Sequence, residues 1–163
     1  MSSDYKLDEM DRKILSFLVK DARMPFLEIA RECGVSGAAI HQRVRKLEDL
    51  GIITGFSAMV KPTALGFPVC AFIMMNISEA NKYNDVVAAL KKIPEVVECH
   101  FTTGNFDMFI KIYATNNHHL LTIIHDRLQP LGLARSETLI SFHSAINRQL
   151  PIIDILGSEL QDD

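Results

Sequence analysis

Residues 25–53, PFLEIARECGVSGAAIHQRVRKLEDLGII, confine this part of the chain to two short helices meeting at a glycine turn. Pro25 suits the first turn of a helix, where its missing N–H costs nothing, and Ile29, Ala30 and Cys33 then recur at helical spacing. Gly34 can take the left-handed conformation that closes a helix, and Val35 is expected to plug the angle between the two helices. Ser36 is placed to cap the second helix through its hydroxyl, and Ile40, Val44 and Leu47 form an inward stripe at i, i+4, i+7. Gly37, Ala38, His41, Gln42 and Arg45 project from the other face, with Arg43 and Lys46 on its flanks and no acidic residue before Glu48. Small residues at a helix start permit close approach to a groove. Gln, Arg and His read base edges, while Arg, Lys and the helix N-terminus hold phosphates. The constellation is a helix-turn-helix, and it implies double-stranded DNA as the partner of Ser36, Gly37, Ala38, His41, Gln42, Arg43, Arg45 and Lys46. Base contacts are expected from His41, Gln42 and Arg45. A basic helical face alone would suit an ordinary solvated surface; turn, cap and stripe together favour DNA.

An earlier helix shares this core: Asp8 can cap it, it runs to about Lys20, and Ile14, Leu15 and Leu18 face inward, after a loose arm at residues 1–6. Gly51 breaks the second helix of the motif. Beyond it, IITGFSAMV gives two β-prone runs about Thr54-Gly55, expected as a small wing or hinge strand. Lys61-Pro62 opens a linker, so the chain divides into a DNA-binding domain at 1–60, a linker at 61–67 and a second domain at 68–163.

Charge separates the halves. Residues 1–60 hold nine Lys/Arg against nine Asp/Glu, whereas 61–163 hold eight against eleven. A neutral domain with its positive charge gathered on one helix binds DNA only modestly as a monomer, and dimerisation would multiply its contacts. Cys33, Cys70 and Cys99 are odd in number and set in apolar surroundings, which reads as reduced core thiols. With no secretory n-region and no apolar run long enough to span a membrane, the expected location is the cytoplasm, without a membrane partner.

The second half alternates. Residues 69–77 (VCAFIMMNI) read as a strand, and Tyr83, Val86, Val87 and Leu90 as an amphipathic helix ending before Pro94. Residues 96–103 and 107–114 read as strands around a tight turn. Leu120, Leu121, Ile124, Leu128 and Leu131 stripe a further helix, and residues 136–146 complete β-α-β-β-α-β, a ferredoxin-like pattern. The fold class is therefore α+β. In the first strand both alternating sets are apolar, Val69, Ala71, Ile73 and Met75 against Cys70, Phe72 and Met74, yet two helices cover only one face. A second copy of the sheet is the economical cover, and a two-fold homodimer also matches an operator with two half-sites. The chain's own tail folded across the sheet is the alternative.

Thr103-Gly104-Asn105-Phe106-Asp107 forms the turn between the middle strands. Backbone N–H groups in a Gly-containing turn can cradle a carboxylate and Asp107 can hold an ammonium group, which together suit an amino acid. Ser136, Thr138 and Ser141 could add hydroxyl contacts. Ordinary hairpin chemistry would equally explain the Gly-Asn pair.

The runs LDEMDRKIL, RVRKLEDLGII and TTGNFDMFI, followed by the closing β-α-β, resemble the Lrp/AsnC family of feast/famine regulators over nearly the whole chain. The resemblance implies a winged helix-turn-helix domain, a hinge strand and a ferredoxin-like ligand-sensing domain that dimerises. It also implies assembly into rings, such as an octamer of four dimers, with a small effector, commonly an amino acid, bound between dimers. No cofactor is implied. By position, Ser36 to Lys46 match the family's recognition helix, and Thr103, Gly104 and Asp107 its sensing turn, while Asn105 and Phe106 sit where the family varies. Gly37-Ala38-Ala39 offers fewer polar side chains than many members show. Some proteins of this architecture resemble sirohaem decarboxylases. Against an enzyme, His100, His118, His119, His125 and His143 supply no metal pair at i, i+4 and no nucleophile beside a poised base. An effector-independent architectural DNA-binding protein is the third alternative.

Overall fold

A computed structural model of the chain describes residues 5–152. These form two compact units: a sheet unit, Val60–Ala145, and a helical unit from the preceding residues together with residues 146–152. The sheet unit thus closes at Ala145, whereas sequence assigns its domain residues 68–163, of which 153–163 lie outside the described residues.

The helical unit contains α1 (Glu9–Lys20), α2 (Phe26–Cys33) and α3 (Gly37–Asp49). Asp8 caps α1 in a reciprocal capping box: its carboxylate accepts from Asp11 N while the Asp11 carboxylate accepts from Asp8 N. Gly34, at φ +68°, closes α2 in the left-handed region, and Ser36 Oγ accepts from Ala39 N at 3.2 Å to start α3. Ile14, Leu18, Ile29, Ala30, Ile40 and Val44 pack as one buried cluster, with Cys33 and Ile53 at its margin. Val35 does not plug the interhelical angle. Its side chain is exposed, and it is its backbone N–H that helps close α2, donating to Ala30 O. The expected wing or hinge strand is also absent from the described residues: residues 52–60 join no sheet, for no strand among the described residues pairs with them to supply ladder bonds.

The sheet unit follows β-α-β-β-α-β: β1 (Val69–Ile77), α4 (Tyr83–Leu90), β2 (Val96–Phe101), β3 (Met108–Ala114), α5 (Asn117–Ile123) and β4 (Leu133–Ser141). The four strands lie in the order β2-β3-β1-β4, with every pairing antiparallel. β4 begins and ends earlier than residues 136–146 because β1 sets its length: Cys70 pairs Ser141 at one end, and Ile77 pairs Leu133 beyond a bulge at the other. After α5 a π-helical turn, Ile124–Leu128, adds a residue to the turn and changes the helical phase. Leu120, Ile123 and Leu128 therefore reach the core, while Leu121, expected inside, is 54% exposed.

One face of the sheet is dry. Ala71, Ile73 and Met75 from β1 and Met108, Ile110, Ile112 and Ala114 from β3 pack against Val86, Leu90, Leu120, Ile123 and Leu128. On the opposite face Cys70, Phe72, Met74, Phe109 and Tyr113 are only half-buried, with Phe72 and Phe109 stacked at 5.3 Å. Here Lys111 Nζ bonds Glu98 Oε1 at 2.9 Å, and this contact holds the Glu98 carboxyl below its usual range and raises the Lys111 ammonium. The three cysteines are free, but none is in the core: Cys33 and Cys70 are half-buried and Cys99 is exposed. Among the described residues no helix is long and apolar enough to cross a membrane.

Ile110, fully buried at the sheet centre, should cost about 2–5 kcal/mol when cut to alanine, whereas Leu121→Ala should shift stability by less than about 0.5 kcal/mol. The urea midpoint of the sheet unit, followed by tyrosine fluorescence, separates the two.

Candidate nucleic-acid interface and sensing turn

On α3 the buried stripe Ile40, Val44 and Leu47 fixes which residues look outward. Ala38, His41, Gln42 and Arg45 form an exposed row at i, i+3, i+4, i+7. Gly37 is half-buried beneath Leu27, whose Cδ1 lies 3.9 Å from where a Cβ would stand. The His41 ring meets Phe26 edge-on at 4.6 Å, so its position is set by α2. A groove of about 540 Å³ runs along α3, lined by Phe26, His41, Gln42, Val44, Arg45, Glu48 and Phe56. Three of the residues expected to read bases thus share one wall.

The remaining cations have partners within the unit. Arg43 Nη1 lies 2.6 Å from Asp8 Oδ2 and 2.7 Å from Asp11 Oδ1, and Lys46 Nζ sits 4.2 Å over the Tyr5 ring. The Tyr5 hydroxyl donates to Asp11 Oδ2 at 2.7 Å. Burial pushes the Asp8 carboxyl up, but the hydrogen bonds from Arg43 and Asp11 N and the charge of Arg43 outweigh it and hold the group below the ordinary carboxylate range. The Asp8–Asp11 capping spacing is visible in sequence; their shared arginine, 35 and 32 residues away, leaves no local signal.

The turn of residues 103–107 is built by its own backbone and anchored to β1. Gly104 has φ +109°, a conformation that L side chains adopt only with strain. Thr102 Oγ1 donates to Phe106 O and Thr102 N to Asp107 O. Asp107 N donates to Met75 O, and Asp107 Oδ2 accepts from Ile77 N, both at 3.0 Å. Asn76 Nδ2 reaches Asn105 O at 3.0 Å. Thr103, Gly104, Asn105 and Asp107 are exposed, and Phe106 is half-buried under the Arg135 guanidinium, 5.2 Å from its ring centre. Across β1, Ser136 pairs Met75 and Thr138 pairs Ile73, both exposed on the edge strand. The turn and the first residues of β4 therefore converge on the end of β1. Arg135 is a cation in this cluster that sequence reading missed. The histidines are dispersed: His119 Nε2 lies 3.5 Å from Glu95 Oε1, His125 Nδ1 bonds Gln129, and no group of three potential metal ligands occurs among the described residues.

Both parts match families. Residues 7–48 fit the AsnC-type helix-turn-helix domain, and residues 70–151 fit the Lrp/AsnC ligand binding domain. The chain belongs to the Lrp/AsnC family. It is 37% identical to the regulatory protein AsnC of Haemophilus influenzae over 147 residues, which cover 90% of this chain and 98% of the relative. The HTH-type transcriptional regulator FL11 of Pyrococcus furiosus is 41% identical over 114 residues, 70% of this chain and 75% of the relative. The structure of E. coli AsnC superposes with a TM-score of 0.84 at 35% identity, covering 90% of this chain and 99% of that one. That of the Neisseria meningitidis regulator NMB0573 in complex with L-Met gives 0.85 at 25% identity, covering 92% and 99%. The chain is thus a transcriptional regulator of Lrp/AsnC type with a DNA-binding helix-turn-helix and a ligand-binding domain.

Because the Asp8 carboxyl is lowered in the folded state, its contribution to stability is present above the ordinary carboxylate pKa of about 3.9 and is lost as pH falls through the folded value. Melting temperatures of the unaltered chain and Asp8→Asn should therefore differ at pH 6 and converge toward pH 3.

Proposed function

We propose that this regulator binds specific DNA sequences through the α3 row and that a small amino acid, held at the turn of residues 103–107, governs that binding by changing how dimers assemble. The exposed row of Ala38, His41, Gln42 and Arg45 on a capped, glycine-preceded helix carries the DNA half of this reading. His41, Gln42 and Arg45 supply base-edge chemistry. Ser36, Gly37 and the N-terminus of α3 approach the backbone, with Lys46 on the flank.

For the effector, the observation with most weight is convergence: the exposed turn backbone, the Asp107 carboxylate, Ser136 and Arg135 lie about the end of β1, with Thr138 farther along the edge strand opposite Ile73. Asp107 commits one oxygen to Ile77 N, which leaves the other to face an ammonium group. A relative solved with L-Met supports an amino acid as the ligand class.

The half-buried apolar face of the sheet supports a homodimer, a second copy covering Cys70, Phe72, Met74 and Phe109, and rings of such dimers would bring sensing turns together. Effector binding and assembly are then coupled equilibria, and assembly decides which spaced DNA sites one particle engages.

Arg45→Ala should weaken DNA binding and reduce the slope of log affinity against log salt by about one. Unchanged affinity across salt would reject Arg45 as a contact. Asp107→Asn keeps an oxygen for Ile77 N but loses the charge. It should retain DNA binding and lose the rise in melting temperature that one amino acid from a screened set gives the unaltered chain; an undiminished rise would remove Asp107 from the site.

A further inference from the structure

The three cations of α3 have unequal surroundings. Arg45 is exposed on the outward row, and Lys46 lies over the Tyr5 ring. Arg43 is turned aside toward α1, where a single nitrogen, Nη1, bonds both Asp8 Oδ2 and Asp11 Oδ1. Of the two acceptors, Asp8 is half exposed but Asp11 is 1% exposed and accepts in addition from the Tyr5 hydroxyl and, more weakly, from Asp8 N. Swinging the Arg43 side chain from α1 out toward a DNA phosphate would leave the buried Asp11 carboxylate without its cation, and a buried charge that loses its partner is strongly destabilising. Its charge is moreover offset by two carboxylates, so it offers little to a phosphate. The acceptors themselves are fixed, since each caps the first turn of α1.

Arg43 branches from the flank between the buried stripe and the outward row. A tether at that point resists rotation of α3 about its own axis. Tyr5 adds a second tie, its hydroxyl on Asp11 and its ring under Lys46, one turn along from Arg43. We propose that Arg43 is a positioning residue for DNA reading: held by Asp8 and Asp11, it sets the roll of α3 and so aims Ala38, His41, Gln42 and Arg45, governing sequence selectivity without touching DNA. This rests on the DNA-reading role assigned above to the outward row.

The test uses the full chain, a duplex that the unaltered protein selects from a random-sequence pool, and a scrambled duplex of the same length. Arg43→Met removes the tether at similar side-chain length. Asp8→Asn weakens it while leaving a residue able to cap α1. The preference for the selected over the scrambled duplex should fall about tenfold in Arg43→Met, the scale of one lost base contact, and about threefold in Asp8→Asn. The salt slope on the scrambled duplex should stay at its unaltered value in both. A slope reduced by about one in Arg43→Met would make the residue a phosphate contact and overturn the proposal. A lowered melting temperature with undiminished preference in both variants would also overturn it, leaving Arg43 a stabiliser only. Should Arg43→Met fail to fold, Asp8→Asn decides by the same two measurements. If the unaltered chain selects no sequence from the pool, the DNA reading fails first, before any substitution is made.

Discussion

β1 lies inside the sheet with a bonded neighbour along each edge, so its alternate residues must serve two opposite faces at once. Ala71, Ile73 and Met75 meet α4, α5 and the turn that follows, and are sealed from water. Cys70, Phe72 and Met74 meet only their neighbours on the same face of the sheet, Phe109 and Tyr113 among them, and stay half-buried. The two helices of a β-α-β-β-α-β unit are both spent on one side, and no rearrangement of this topology covers the other. Much of the sheet unit follows from this placement. The length of β4, the anchoring of the turn at residues 103–107 and the approach of Ser136 and Arg135 are all set by pairing to β1. The end of β1 gathers the candidate sensing residues because the turn that leads into β3 and the first residues of β4 both pair or bond there.

The helical unit is organised by polar contacts as much as by its apolar cluster. Gly34 and Ser36 fix the angle between α2 and α3, and the capping box of α1 presents two carboxylates to a single guanidinium. Of the three cations on α3, Arg43 is held toward α1 and Lys46, though exposed, lies over the Tyr5 ring, which leaves Arg45 on the outward row. The electrostatic footprint on DNA is therefore narrower than the composition of the helix suggests.

Local chemistry was readable from sequence and distant chemistry was not. The N-caps Asp8 and Ser36 and the left-handed Gly34 act within four residues, so their types and spacing announce them. The alternating apolar sets of β1 announced a two-faced strand for the same reason. Leu121 was misplaced because a π-helical turn shifts helical phase without any mark in the pattern of apolar residues. The wing at residues 52–60 followed from β-propensity, but a strand exists only where a neighbour supplies bonds, and propensity carries no information about neighbours. Arg43 looked like its fellow cations because its carboxylates lie more than thirty residues away. Arg135 was passed over because nothing in sequence relates it to Phe106, its neighbour across the end of β1.

The even charge balance of residues 1–60 has a consequence in time as well as in strength. A domain with little net field draws DNA toward itself weakly from a distance, so encounters proceed without much electrostatic acceleration and depend less steeply on ionic strength than those of a strongly basic protein. How long the protein stays at a site is then set by dissociation, the quantity that changes most when a second reading head is joined to the first. A regulator of this kind would tune residence rather than arrival.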